Sequence, residues 1–507
     1  MFFTMSTGVT RADISGANYE IGQEIRSQSQ LEASHVGNYQ NQWQKPISEY
    51  GRNDPEWQVK LNASPFVGKI DVDASDWEES RRAIDAVMKL LLKELRSQAE
   101  NYEGLRIDSY VRQGSSREGL KVLKADEFDA MLEFHFDGLE SHIQPATTKN
   151  RNGYFIPGHC YLELKGVDLG YLKDKYPRLH AKSIFIVSSG KVYLSSKNLH
   201  TKVFQSMVDT AIDNINQAIE HHNRDTNQPS RFGLRRKMNP PSINVTISMK
   251  GGVTYDSWGN VKTSTDKELD LDFVPAFLLG KDQTTRYEGV LLECPIHAIC
   301  KWAEEDSFKA IEFVDQILIW DIKSVGYERH ILDVARRDTK KLYILTALRI
   351  LKTYFVKTKE IARQSRGSPP QIVTVLKSYH LKQLAFYLLN YLCHKYPNFK
   401  VDGVQKALLY FFDILRIALT EKCLPHLFFS DNSVIGAMLP GYPPIPTPKL
   451  KFNMFRRIPN DSLTQALASL ENHLIPNLGF GSGSTDDNER ERVQQDFKRT
   501  VAGSDYF

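Results

Sequence analysis

A chain of 507 residues with 41 % hydrophobic and 25 % charged residues has an ordinary soluble composition and is long enough for two or three cores. Its net charge of +4 is small for this length, so any nucleic-acid surface has to be local rather than global. The five scattered cysteines (Cys160, Cys294, Cys300, Cys393, Cys423) suit reduced thiols, not a disulfide framework. The first residues lack the basic start and apolar run of a signal peptide, and no run reaches the ~18 apolar residues of a membrane span. A cytoplasmic protein is expected.

In chain order, residues 1–68 are rich in Ser, Gln, Asn and Gly and read as a flexible N-terminal extension. Ser75 followed by Glu78 has capping-box spacing. Behind it Ile84, Val87, Met88, Leu91 and Leu95 recur with a helical period, which predicts one long amphipathic helix over about 75–101. Its other face carries Arg81, Arg82, Lys89, Lys93 and Arg96. From about 105 to 275 the patterns are mostly those of strands. Cys160, Leu162 and Leu164 alternate in GHCYLELKG, and a Ser-Ser-Gly-Lys turn inside SIFIVSSGKVYLSS signals a hairpin. Beyond about 300 the period becomes helical in KKLYILTALRILKTYFVKTKEIA, SYHLKQLAFYLLNYLCHKY and VQKALLYFFDILRIALTEK. The Pro-rich YPPIPTPK closes this part, and 479–507 reads as a disordered tail. The expected architecture is bilobal: an α/β lobe with a mixed sheet and a long spine helix over 69–295, then an all-helical lobe over 296–478.

The chemistry concentrates in Asp126-Glu127-Phe128-Asp129. On a strand, Glu127 and Asp129 project from one side, roughly 6.5 Å apart along the backbone. Two such carboxylates about 4 Å apart repel by about 4 kcal/mol at an effective dielectric of about 20, and a divalent cation between them removes that cost. Magnesium prefers all-oxygen ligands and takes one or two carboxylates together with substrate phosphates. A third acid is expected from ELDLDFVPAF. Asp272 is the choice because it stands directly before an apolar run, as Asp129 does; Asp270, on the same face, is the reserve. Twelve residues before Glu127, Gly114-Ser115 forms a turn whose backbone N–H groups and hydroxyl suit a phosphate. Turn, acid pair and distant third acid together describe a two-metal phosphoryl-transfer site.

These residues carry a resemblance. GSSREGLKV–KADEFDAML, LDLDFVPAF, SYHLKQLAFYLLNYL and LPHLFF, in that order, resemble the cyclic GMP–AMP synthase-like receptors over roughly residues 75–460. The resemblance implies a bilobal nucleotidyltransferase fold that binds ATP and GTP between its lobes and joins them into a cyclic dinucleotide for innate immune signalling. Glu127, Asp129 and Asp272 would bind Mg²⁺ or Mn²⁺, and Gly114 and Ser115 would hold donor phosphates. Ser378 and Tyr379 would sit at the base, where a tyrosine ring can stack, and Lys382 one turn on would reach a phosphate.

The chain departs from the family at three places. No cysteine lies between Trp320 and Ser378, so the zinc ribbon that grips DNA in the vertebrate sensor is missing, and double-stranded RNA rather than DNA becomes the expected activator. Cys294-x-x-His297-x-x-Cys300 lacks a fourth ligand and a C-x-x-C pair; it reads as core, and no structural zinc is expected. The family arginine after the tryptophan is Asp321 here, with Lys323 nearby. The family lysine of the following helix falls on Thr346, with Arg349 and Lys352 as substitutes. The basic spine-helix face, extended by Arg336, Arg337, Lys340 and Lys341, is the expected RNA surface. Two other readings remain: a catalytically silent binding or developmental protein of the same fold, and a synthase of linear oligonucleotides.

Overall fold

The structure is a computed structural model that describes residues 8–22, 43–149, 155–226, 229–239, 242–251, 253–255, 261–263, 266–279, 284–287, 290–293, 296–302, 315–430, 432–439, 452–481 and 487–502. The spine helix spans Ala74–Ala99 and buries Ile84, Val87, Met88, Leu91 and Leu95, the residues whose spacing predicts it. It starts two residues earlier than the Ser75 capping box would have it. Asp73 is the N-cap, accepting from the backbone N–H groups of Ser75 and Asp76 at 2.9 and 3.3 Å. The Ser75 hydroxyl and these backbone donors hold the Asp73 carboxyl down at about 2.

A second long helix, Gln205–Thr226, packs along the spine where strands were expected. Met207, Val208, Ala211, Ile212, Ile215 and Ile219 form its buried stripe. The stripe recurs at helical spacing with Asp, Asn and Gln on the other face, but it lies between strand-patterned segments on both sides.

Eleven strands among the described residues make one mixed sheet. Its main order is Leu105–Gln113, Glu127–Phe136, Lys267–Leu279, Ile296–Cys300, Trp320–Lys323, Phe155–Leu164, Lys191–Leu194 and Phe185–Ser188. Ser242–Met249 also pairs with Lys267–Leu279, and every pairing in this sheet is antiparallel except one. The exception is Glu127–Phe136 beside Lys267–Leu279, which run parallel with Asp272 opposite Asp129 and Asp270 opposite Glu127. The expected hairpin forms between Phe185–Ser188 and Lys191–Leu194, and Ser189 and Gly190 close it with φ of +52° and +76°.

Ile296–Cys300 and Trp320–Lys323 complete this sheet, so the helical lobe begins at Val325, later than the boundary expected at 296. Its core joins the helices Val325–Ala335, Thr339–Gln364, Ser378–Leu389 and Val404–Thr420. The YPPIPTPK segment lies outside the described residues. No helix among the described residues is long and apolar enough to cross a membrane.

Both expected flexible ends need correction. Residues Arg11–Gly22 form a helix that lays Ile14, Ala17 and Ile21 against the spine helix and Gln205–Thr226. Pro55–Ala63, capped by Asp54, inserts Trp57 and Leu61 into the helical lobe, and Trp57 Nε1 donates to Leu478 O at 2.9 Å. The stretch around SQSQLEASHVGNYQNQ, over 23–42, lies outside the described residues. At the other end, Asn488–Val501 is a helix whose Val493, Phe497 and Val501 are buried in the helical lobe. Arg490 donates to buried Asp413 from Nε and Nη2, both at 2.7 Å. These segments carry few apolar residues each. Their order comes from docking onto a surface built elsewhere, which local periodicity does not register.

Candidate active site between the lobes

The parallel register brings the acids together. Ligand oxygens of Glu127, Asp129 and Asp272 all lie within 4.8 Å of one another. Asp272 Oδ1 accepts from Asn244 Nδ2 at 2.6 Å. Asp270 shares its face but serves elsewhere, accepting from Thr246 Oγ1 at 2.8 Å and from Lys237 Nζ at 3.2 Å. Burial first, then the charges of Glu127 and Asp272, push the Asp129 carboxyl up to about 7. Burial likewise raises Asp272 against the Asn244 hydrogen bond, with Glu127 adding to the rise. Lys121 Nζ lies 3.0 Å from Asp126 and 3.2 Å from Glu127, a partial counter-charge at the rim.

The Gly114–Arg117 turn stands directly against this trio. Gly114 has φ +70°, and a Cβ there would overlap Asp129 Oδ2 and stand 2.7 Å from its Cγ. Only glycine fits both the backbone and the space. Ser116 Oγ donates to Glu127 O at 2.8 Å, which pins the turn to the strand, while Ser115 O accepts from Leu120 N and Lys121 N at 2.8 and 3.0 Å.

Two cavities meet at Asp129. The larger, about 1090 Å³, is lined by Gly114, Ser115, Glu127 and Asp129 and by Ser378, Tyr379 and Lys382 from the helical lobe. The smaller, about 450 Å³, is lined by His159, Asp321, Lys323, His426, Arg456 and Arg457 among others, and shares Gly114, Glu118, Asp129, Tyr379 and Lys382 with the first. All the residues singled out from the sequence for nucleotide contact therefore stand along one continuous cleft.

Their individual settings differ from expectation in places. Tyr379 is 40 % exposed, yet its hydroxyl is anchored by Glu328 Oε1 at 2.8 Å and His426 Nε2 at 2.9 Å, which leaves a ring fixed at the cleft. Lys382, expected at a phosphate, has its ammonium between Glu118 Oε1 at 2.8 Å and Glu328 Oε2 at 2.6 Å. Burial alone would raise the Glu328 carboxyl; Lys382 and His426 override it and hold it at about 2. Of the two substitutes for the family lysine, Lys352 lines the larger cavity and donates to Leu120 O at 2.7 Å. Arg349 is turned to Asp71, Ser48 and Lys121 O. Burial, then Lys121, lowers the Lys352 ammonium to about 7, so an arriving phosphate would favour its charged form. Thr346 is buried and accepts from Glu49 N at 2.9 Å.

Asp321 is buried with Oδ1 2.6 Å from His159 Nδ1 and Oδ2 3.3 Å from Lys301 Nζ. His297 is buried with Nε2 2.8 Å from Glu133, and Cys300 is buried; Cys294 lies outside the described residues. The expected RNA face is largely engaged within the chain. Arg81 and Arg82 pair with Glu78, and Arg96 donates to Ile107 O and Asp108 O. Lys89 pairs with Glu20 and Lys93 with Asp13, both from the N-terminal helix. Lys340 donates to Pro397 O and Arg336 to Lys45 O. Glu118 and Glu328 escaped sequence reasoning, because nothing local distinguishes a buried glutamate whose partner lies on another helix.

A mixed sheet presenting convergent acids beside a glycine turn, backed by a spine helix and closed by a helical lobe, is a nucleotidyltransferase fold. More particularly, residues 116–311 match the Mab-21 protein nucleotidyltransferase domain. Among solved structures the chain is similar to Escherichia coli MS115-1 CdnC with ATP, at 13 % identity and TM-score 0.41 over 90 % of this chain and 99 % of that one. It is also similar to the Rhodothermus marinus CdnE c-UMP-AMP synthase, at 9 % identity and TM-score 0.36 over 86 % and 100 %. A third is the Elizabethkingia meningoseptica CdnE cyclic dinucleotide synthase, at 11 % and 0.35 over 78 % and 92 %. No curated protein matches the chain.

Proposed function

We propose that the chain is a metal-dependent nucleotidyltransferase that joins two nucleoside triphosphates, ATP and GTP, into a cyclic dinucleotide. The observation that carries this reading is the trio of carboxylates within 4.8 Å, whose Asp129 lines both cavities. The trio fits divalent magnesium or manganese: its donors are all carboxylate oxygen, and the Asp129 carboxyl, raised by burial and then by Glu127 and Asp272, is one that a bound dication would favour in its ionised form. When bound, such ions supply charge neutralisation at the reacting phosphate and lower the pKa of the attacking hydroxyl.

The chain's own residues do the rest. The Gly114–Ser115 turn offers backbone N–H groups and a hydroxyl to the donor triphosphate, with Lys121 and Lys352 as cations near it. The Tyr379 ring and Ser378 receive a base in the larger cavity. The smaller cavity takes the second nucleotide, whose ribose oxygen attacks the donor α-phosphorus; a P–O bond forms, diphosphate leaves and the hydroxyl proton is lost. A second round between the same two nucleotides closes the ring. The resemblance extends this reading to a cytoplasmic immune signal switched on by duplex RNA.

The test is turnover of labelled ATP and GTP with Mg²⁺, with and without long double-stranded RNA, resolved after phosphatase treatment. A phosphatase-resistant cyclic dinucleotide is the expected product. A ladder of linear oligomers would replace the cyclic product in this reading, and no turnover under any ligand would make the chain a silent member of the fold.

A further inference from the structure

The loop Gly114–Lys121 belongs in sequence to the sheet lobe, but charged side chains of the helical lobe hold it. Arg117 pairs with Asp333 at 3.2 Å, Lys352 donates to Leu120 O at 2.7 Å, and Arg349 donates to Lys121 O at 3.1 Å. The fourth tie, Glu118 to Lys382, differs in kind. Lys382 continues to Glu328, and Glu328 accepts from the Tyr379 hydroxyl, which also meets His426. One unbroken chain of hydrogen bonds thus runs from the loop at the first cavity to the ring at the cleft and on to the second cavity.

The ammonium of Lys382 has three N–H donors. Two carboxylates pair with it, and the Tyr379 ring lies 5.2 Å away at its centroid. Glu118 and Glu328 are both almost fully buried, so each needs this cation to remain ionised there. The charge of Lys382 is thus already matched within the chain by two carboxylates.

We propose that Lys382 is a positioning residue: by bridging Glu118 and Glu328 it fixes the Gly114–Lys121 loop and the Tyr379 ring relative to each other, so that phosphates and base are met in one register. The proposal rests on the nucleotidyltransferase reading for what the loop and ring are for, but not for the bridge itself. It goes beyond that reading by moving Lys382 from the substrate to the scaffold.

Hydrogen exchange on the full-length chain, without nucleotide, tests the bridge apart from catalysis. In Lys382→Met, the amides of Leu120 and Lys121, bonded to Ser115 O, exchange about ten-fold faster or more, as expected for loss of a buried charge-assisted hydrogen bond. Lys382→Arg, which keeps the charge and can span both carboxylates, returns protection toward the wild type. Glu118→Gln, a smaller change, gives a weaker acceleration of the same amides and serves if Lys382→Met does not fold. Unchanged exchange of these amides in Lys382→Met, or in Glu118→Gln should the first variant not fold, would overturn the proposal, since a phosphate ligand could be lost without loosening the loop. A chain inert in turnover but showing the loosened loop would retain the bridge and sink only the enzymatic reading.

Discussion

The paired variant Glu127→Gln, Asp129→Asn is expected to lose nucleotide transfer by about 10³-fold or more, the scale of removing preorganised charge from a phosphoryl-transfer site. The same variant is expected to fold, and above neutral pH to be more stable than the wild type without metal. The sign follows from Asp129. Its carboxyl is raised to about 7 by burial and then by Glu127 and Asp272, so between about pH 4 and 7 the folded chain binds a proton that the unfolded chain has released. Wild-type stability therefore falls as pH rises through that window. At pH 8 the ionised carboxylate costs at most about 4 kcal/mol, less with solvent screening, and the amide does not have that cost. Thermal unfolding in EDTA at pH 4 and pH 8 reads this directly: the variant gains at pH 8 and the gain disappears at pH 4. An inactive variant that is also less stable at pH 8 would assign these acids a structural role.

Gly114→Ala is the second large effect. The substitution forces an L side chain to φ +70°, a strain of about 1–2 kcal/mol, and drives a Cβ into Asp129 Oδ2. Either the turn moves off its strand or the Asp129 carboxylate rotates out of the trio. A displacement of about 1 Å at a reacting centre costs on the order of 100-fold in rate. The expected result is a fall of that size in kcat, with a loss of thermal stability of no more than a few degrees. Full activity in Gly114→Ala would mean that the turn and the acid are not both part of one reacting centre.

Much of this candidate site is legible in the sequence, because it depends on the two-residue repeat of a strand. Glu127 and Asp129 share a face by alternation alone, and Gly114-Ser115 precedes them by a short, rigid interval. Choosing Asp272 over Asp270 was less determined, since both occupy the same face. The structure separates them through register and partners: Asp272 lies opposite Asp129, whereas Asp270 is taken up by Thr246 and Lys237. The long helices of the second lobe were legible from their apolar recurrences. The helix Gln205–Thr226 has the same periodicity but sits among strands, so the strand-rich character of 105–275 masks it. Arg11–Gly22 and Asn488–Val501 could not be read in this way. Each buries only a few side chains, and the surface that orders them is assembled from segments far away in sequence. Lys382 is the same lesson at the scale of one residue. Its partners Glu118 and Glu328 are 264 and 54 positions away, and only the packed lobes reveal that its charge is already matched.

The most direct test of the account is anomalous diffraction from crystals of the full chain grown with Mn²⁺ and a non-hydrolysable ATP analogue. Two manganese peaks held by Glu127, Asp129 and Asp272, with the triphosphate on the Gly114–Ser115 turn, is the predicted result. A nucleotide bound with no peak at these carboxylates, and Asp272 still committed to Asn244, would contradict it.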